Sequence, residues 1–180
     1  NDRAIHVVGG ASVLFRLECV DLINGCANGG NCRTQVGGSI AHGGAIYLNT
    51  GGFLILDRVT VENSEAAGGG GISVCSTLNP NGIIVDSIVR NNVAGSLGGG
   101  AILGHVNFAI QSTSIYGNAM AYDGGAPGGA IRQYAGVLEL DQVSIWQNTS
   151  ETAGGGIAAT GQPGAFTAGR IVMTGGELDG

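Results

Sequence analysis

The 180-residue chain contains 36 glycines, is 43% apolar and only 11% charged, and sets seven basic residues, all arginine, against 13 acids for a net charge of -6. Three prolines without a Gly-X-Y period exclude collagen, and the apolar content excludes a disordered chain. The missing basic stripe argues against a nucleic-acid partner, and no run of 18 apolar residues predicts a membrane-spanning helix.

From the N-terminus onward, short stretches rich in Val, Ile and Leu predict strands at residues 11–17, 53–56, 59–61, 83–85, 106–110, 137–140 and 143–145. No window shows a capped, amphipathic helical period. Residues 119–126, where Gly-Gly leads towards Pro127, predict a loop.

Two repeated phrases organise these pieces. Gly-Gly-(Ala or Gly)-Ile ends at Ile46, Ile72, Ile102, Ile131 and Ile157, with spacings of 26, 30, 29 and 26 residues. A weaker copy ends at Ile5. The second phrase closes on Leu22, Val61, Val89, Ile115, Ile145 and Val172, and three residues later come Gly25, Ser64, Asn92, Asn118, Asn148 and Gly175. A leucine-rich repeat would need its own fuller signature, and a propeller blade about 40 residues or more. The period fits an all-β, single-stranded right-handed parallel β-helix, a solenoid of about six coils of 26–30 residues. Each series then forms an inward column, and residues 1–180 form one domain. Glycine supplies tight turns. Asn92, Asn118 and Asn148 are expected to tolerate left-handed corners and to bond one another between coils. Residues 26–42, 76–82 and 119–127 read as insertions, which in repeat folds emerge as loops. Without capping segments, the chain is expected to be a fragment of a longer solenoid or a section capped by partners: a protein or neighbouring solenoid section at the ends near Ile5 and Leu178.

Gly128-Gly129-Ala130-Ile131, with the following L-x-x-x-x-(I/V)-x-x-N phrase, resembles the right-handed parallel β-helix repeat of the passenger domains of polymorphic outer-membrane-protein-like autotransporters and related bacterial surface proteins. The resemblance runs from Ala4 through Gly175. Where that repeat often has F-x-x-N, this chain has Tyr116-Gly117-Asn118 and Trp146-Gln147-Asn148. The resemblance implies secretion or surface display, and an adhesin or structural role.

Individual residues carry less. Cys26 and Cys32 share one Gly/Asn-rich insertion, a disulfide candidate if the chain is exported, whereas Cys19 and Cys75 read as small buried hydrophobes. The cysteine spacings do not predict a metal site, and no cofactor is implied. His42, ending the first insertion, is a minor ligand candidate. Trp146 follows an inward isoleucine and should point outward beside Tyr116, a stacking pair for a glycan or protein partner. Asp57 and Asp86 fall at similar corners of adjacent coils, close enough to act as paired carboxylates. A lyase would instead require Ca²⁺ and a base such as Arg58 or Arg90. Ice binding would need a regular outward array, and Asp21, Thr60, Ile88, Ser114, Ser144 and Ile171 are too mixed. The expectation is therefore a non-catalytic structural or binding solenoid of an exported or cell-surface protein or extracellular assembly, placed outside the cell, on its surface or in a periplasm. The alternative is a carbohydrate-active enzyme, a polysaccharide lyase or glycoside hydrolase, using acids on the solenoid face.

Overall fold

In the computed structural model, residues 3–8, 13–27, 42–49, 51–75, 81–121, 127–160 and 170–179 are described. They contain strands and no helix, and every pairing is parallel. The strands stack as a parallel β-solenoid.

The first face is a six-stranded sheet of β1 (Ile5–Val8), β4 (Ile46–Asn49), β8 (Ile72–Val74), β12 (Ile102–Gly104), β16 (Ile131–Gln133) and β19 (Ile157–Ala159). Its register places Ile5, Ile46, Ile72, Ile102, Ile131 and Ile157 side by side, as the repeated phrase requires. The four middle isoleucines are fully buried. Burying such a side chain contributes roughly 1.5–3 kcal/mol.

The second face is one sheet bent into two arms. Its long arm consists of β2 (Leu14–Glu18), β5 (Phe53–Asp57), β9 (Asn81–Val85), β13 (Asn107–Gln111) and the first half of β17 (Val137–Trp146). The short arm consists of β3 (Asp21–Ile23), β6 (Thr60–Glu62), β10 (Ile88–Arg90), β14 (Ser114–Tyr116) and the second half of β17. β20 (Arg170–Leu178) pairs along both halves of β17. The bend passes through Cys19, Arg58, Asp86, Ser112, Gln142 and Gly175, all with φ between 47° and 64°. One left-handed residue per rung shifts the alternation, so inward positions are spaced 2, 3 and 2: Leu54, Leu56, Val59 and Val61 in one rung, Leu138, Leu140, Val143 and Ile145 in another. Cys19 is exposed at this bend rather than buried, because a left-handed corner turns the side chain out of the tube.

The third face is short: β7 (Glu65–Gly68), β11 (Val93–Gly98), β15 (Ala119–Met120) and β18 (Thr149–Ser150). The loop expected from residue 119 onward therefore begins as a strand. Cys26 continues this face by a single bridge to Glu65. Two faces thus carry six rungs, but among the described residues four rungs close on all three, so the solenoid makes about four complete turns rather than the six coils expected.

Two further readings change. The second inward column ends at Leu178, paired with Ile145, and Val172 lies opposite Glu139 instead. Twenty-one residues separate Ile157 from Leu178, against 13 to 17 in the other rungs, so the regular spacing points too early. Gly175 accordingly belongs to the bend, opposite Gln142, and Ile171 lies inward opposite Leu138. The asparagines also do something other than turn the chain. The left-handed corner residues are their predecessors, Asn91, Gly117 and Gln147. Asn92, Asn118 and Asn148 are buried and inward.

The doubled glycine has two separate causes. Gly43, Gly69, Gly99, Gly128 and Gly154 turn with φ of 60–99°. The following glycine in the first four copies packs on the next rung: a Cβ on Gly70 would lie 2.3 Å from the Gly100 carbonyl oxygen, and one on Gly100 would lie 2.0 Å from that of Gly129.

Candidate functional site

The solvent side of the bend holds the acids that a carbohydrate-active site would use. Asp57 is in register with Glu18 on one side and Val85 on the other, and the next acid in its column, Asp141, lies beyond Val85 and Gln111. At about 4.8 Å per rung, Asp57 and Asp141 are roughly 14 Å apart, too far to share a reacting bond. Asp86 stands one position later, exposed at the left-handed corner above Arg58. Asp57 is engaged elsewhere. Its Oδ2 lies 3.3 Å from Arg16 Nη2 and its Oδ1 2.9 Å from Arg58 Nη1. The second contact is a charge pairing without hydrogen-bond alignment. Arg58 also donates to Glu18, and its Nε lies 3.2 Å from Cys19 Sγ. Both arginines are thereby held by carboxylates, as expected of a surface ion network.

Along the outer side of the short arm runs a second ladder. Glu62, Arg90, Tyr116 and Trp146 stand in one register. Arg90 donates from Nε to Glu62 at 2.5 Å and from Nη1 to the Tyr116 hydroxyl at 2.9 Å. Tyr116 and Trp146 stack at 4.6 Å between ring centroids, 11° from parallel. The pair faces outward as expected, but each ring gives one face to the other. Arg90 takes the phenol oxygen and sits in this salt-bridged column rather than beside Asp57.

A third cluster, on the outer side of the first face, is largely hidden. Tyr47 is buried between His6 and His42, with ring centroids 5.2 and 5.7 Å away and the Arg3 guanidinium 5.1 Å from its centre. Further along the face, His105, two rungs on, stacks at 4.6 Å on Tyr134, three rungs on, with Arg132 4.2 Å from the ring. Between them, Ser73 Oγ lies 3.1 Å from Cys75 Sγ and 3.4 Å from His42 Nδ1, while Cys75 Sγ and His42 Nδ1 are 3.8 Å apart. Their contact resembles a thiol–imidazole pair, but the electrostatics run against one. Burial, then His105 and Arg3, lower the His42 pKa to about 4. Burial pushes the Cys75 thiol up to about 11, against a smaller opposite pull from the Ser73 hydrogen bond. Both groups are neutral near pH 7, and an activated nucleophile needs a depressed thiol pKa. Among the described residues no group of three or more His, Cys, Asp or Glu is placed to hold a metal ion. Sequence reasoning misses this cluster because its members come from five rungs and share no motif.

The long arm's outer surface carries two shallow grooves of about 320 and 400 Å³. Phe53, Asn81, Ile83, Asn107 and Val137 line the first, Gln111, Asp141 and Thr174 the second, and Glu139 borders both. Asn107 donates to Asn81 at 3.2 Å and accepts from the Val137 N–H at 2.9 Å.

The cysteine candidates divide. Cys19 and Cys75 are free thiols, and Cys32 lies outside the described residues, as do most of the three insertions. No helix is long and apolar enough to cross a membrane among the described residues. The chain matches no family model, no curated protein and no solved structure.

Proposed function

We propose that this solenoid is a non-catalytic structural or binding section of an exported or surface-displayed protein or extracellular assembly, in which other polypeptide covers the terminal rungs. The observation that carries this reading is where apolar side chains meet water. The large exposed hydrophobics are Val13, Leu14, Val20 and Ile23 in the first rung and Ile171, Met173 and Leu178 in the last. The rungs between contribute none among the described residues. The outward polar residues support it further, because the acids and aromatics of the bend and the short arm bind each other along the columns.

The test is direct. The purified chain, incubated with neutral and uronate polysaccharides with and without Ca²⁺, is expected to release no reducing ends and form no unsaturated products. Cleavage that is lost in Asp57→Asn would establish the carbohydrate-active alternative instead. Export carries a second expectation, that Cys26 and Cys32 close their loop as a disulfide. Alkylation of the denatured, unreduced protein from an oxidising compartment should then label two thiols, Cys19 and Cys75. Labelling of all four would remove that support.

A further inference from the structure

Arginine is held in two different ways in this chain. On the second face Arg16, Arg58 and Arg90 each reach carboxylates. Arg132, on the outer side of the first face, is only 7% exposed and reaches no carboxylate among the described residues. Buried charges are ordinarily paired, because an uncompensated ion taken out of water is costly. The surroundings supply no counter-charge: the six strands of the first face contain no Asp or Glu, in a chain that has 13 of them. Burial lowers the Arg132 pKa against a smaller upward pull from the Tyr134 phenol, and no carboxylate contributes. Burial, then Arg132, also lowers the pKa of His105, so that imidazole is uncharged near pH 7.

The guanidinium is nevertheless fixed in place. Its Nη1 donates to the Leu97 carbonyl at 2.6 Å and its Nε to Thr160 Oγ1 at 3.2 Å. Its carbon stands 4.2 Å from the centre of the Tyr134 ring, on which His105 stacks. Nη2 makes no hydrogen bond among the described residues and is not sealed from water. In the planar fork Nη2 shares an edge with Nε, so an oxygen accepting from Nη2 comes to lie beside the Thr160 hydroxyl. That hydroxyl accepts from Nε and keeps its own proton to give. Arg132 lies between Leu103 and Ala158 of the neighbouring rungs, so its setting is that of an interior rung.

We propose that Arg132 Nη2 and the Thr160 hydroxyl bind one carboxylate group, carried by a small organic acid or a sugar acid. One carboxylate oxygen accepts from Nη2 and the other from Thr160, and hydrogen bonds to ionised groups are the strong ones. One positive charge among uncharged neighbours matches one negative charge. A phosphate dianion would bring an excess into a chain already at -6. This ligand belongs to the binding half of the reading given under Proposed function and rests on it.

Isothermal titration of the purified chain at fixed ionic strength, with sodium acetate, sodium glucuronate and inorganic phosphate, is the test. Saturable binding of the carboxylates is expected, with phosphate weaker. Equal affinity for acetate and glucuronate would assign the site to the carboxylate alone, and a tenfold preference for glucuronate to a sugar acid. Arg132→Gln should weaken carboxylate binding at least tenfold and Thr160→Val about fivefold. Arg170→Gln, the same change of charge at an exposed arginine of β20, should leave it unchanged. Thr160→Val keeps the buried charge and decides the matter if Arg132→Gln does not fold. No saturable carboxylate binding, tighter binding of phosphate, unchanged binding in Thr160→Val, or equal losses from positions 132 and 170 would overturn the site. Any of these, with no polysaccharide cleavage, leaves the structural reading standing without this ligand. Cleavage that is lost in Asp57→Asn removes that reading itself, whatever binds at Arg132.

Discussion

Two stacks of polar residues run through the interior of this solenoid, and they serve the same need differently. On the inner side of the bend, Ser87 Oγ accepts from the Val59 N–H at 3.1 Å, and Thr113 Oγ1 accepts from the Ser87 N–H at 3.3 Å. Each hydroxyl gives its one proton back to its own rung, to Val85 and Gln111 carbonyls at 2.6 and 2.7 Å. After the short arm, Asn92, Asn118 and Asn148 accept in the same way from Ser64, Asn92 and Asn118 N–H groups, each at 3.0 Å. An amide has two protons to give, and with one of them shared Asn118 Nδ2 reaches the Val89 carbonyl of the rung before, its own Tyr116 carbonyl and the Asn148 oxygen. A hydroxyl joins two rungs and an amide joins three. The column of hydroxyls is accordingly replaced by Val59 and Val143 at its ends, whereas from Ser64 to Asn148 the amide column admits no apolar residue.

The sharpest way to break this comparison is Asn118→Leu. It removes the acceptor of the Asn92 N–H and strands buried carbonyls, so it should lower unfolding free energy by about 4 kcal/mol, from roughly 1–3 kcal/mol per unsatisfied group. Urea unfolding followed by far-ultraviolet circular dichroism would measure it, and a loss under 1 kcal/mol would mean the amides are ornamental. Acid provides a contrast that neither stack can produce, since neither titrates. His42 has its folded pKa lowered to about 4 from 6.5, so the unfolded chain binds the extra proton first. Stability should be full above pH 6.5 and fall towards pH 4, by about 3 kcal/mol at one pKa unit per 1.36 kcal/mol. His42→Phe should flatten that slope, and Asn118→Leu should leave the slope unchanged while lowering the whole curve. Thr113→Val is the mild case: valine already occupies this column, and its added methyl burial offsets part of the lost bond. A cost of about 1 kcal/mol is expected by the same urea titration, and a cost equal to that of Asn118→Leu would erase the distinction between the stacks. Smallest is Trp146→Leu on the outer ladder, which should lose the stacking with Tyr116 and about 0.5–1 kcal/mol in thermal unfolding.

How legible these features are depends on side-chain period. The isoleucine column and the asparagine column recur at whole-rung spacing and can be read from the order of residues alone. The hydroxyl stack cannot, because Ser87 and Thr113 sit inside an alternating phrase at a position that alternation assigns to solvent. Only the left-handed residue before each turns it inward. The third face is invisible for a related reason, since two-residue strands such as Ala119–Met120 carry no period. Asp57 and Asp86 do stand on neighbouring rungs one position apart, and Arg58 is legible beside the first of them, but the reach of Arg16 from the rung before is not. The cluster around Tyr47 and His42 is assembled by stacking from distant segments and leaves no local trace.

The bend has a consequence for size. Its six rungs share one inward frame, and each hands its neighbour the same backbone edge. Nothing in that frame counts rungs, so neither core volume nor surface composition fixes how long such a tube must be. Excising or duplicating one unit of 26 residues at equivalent corners, for instance from Asp86 to Gln111, would change the reach of the particle by one rung, about 4.8 Å, and leave both extremities as they are. Length here is adjustable independently of chemistry, as in a ruler whose divisions can be added or removed.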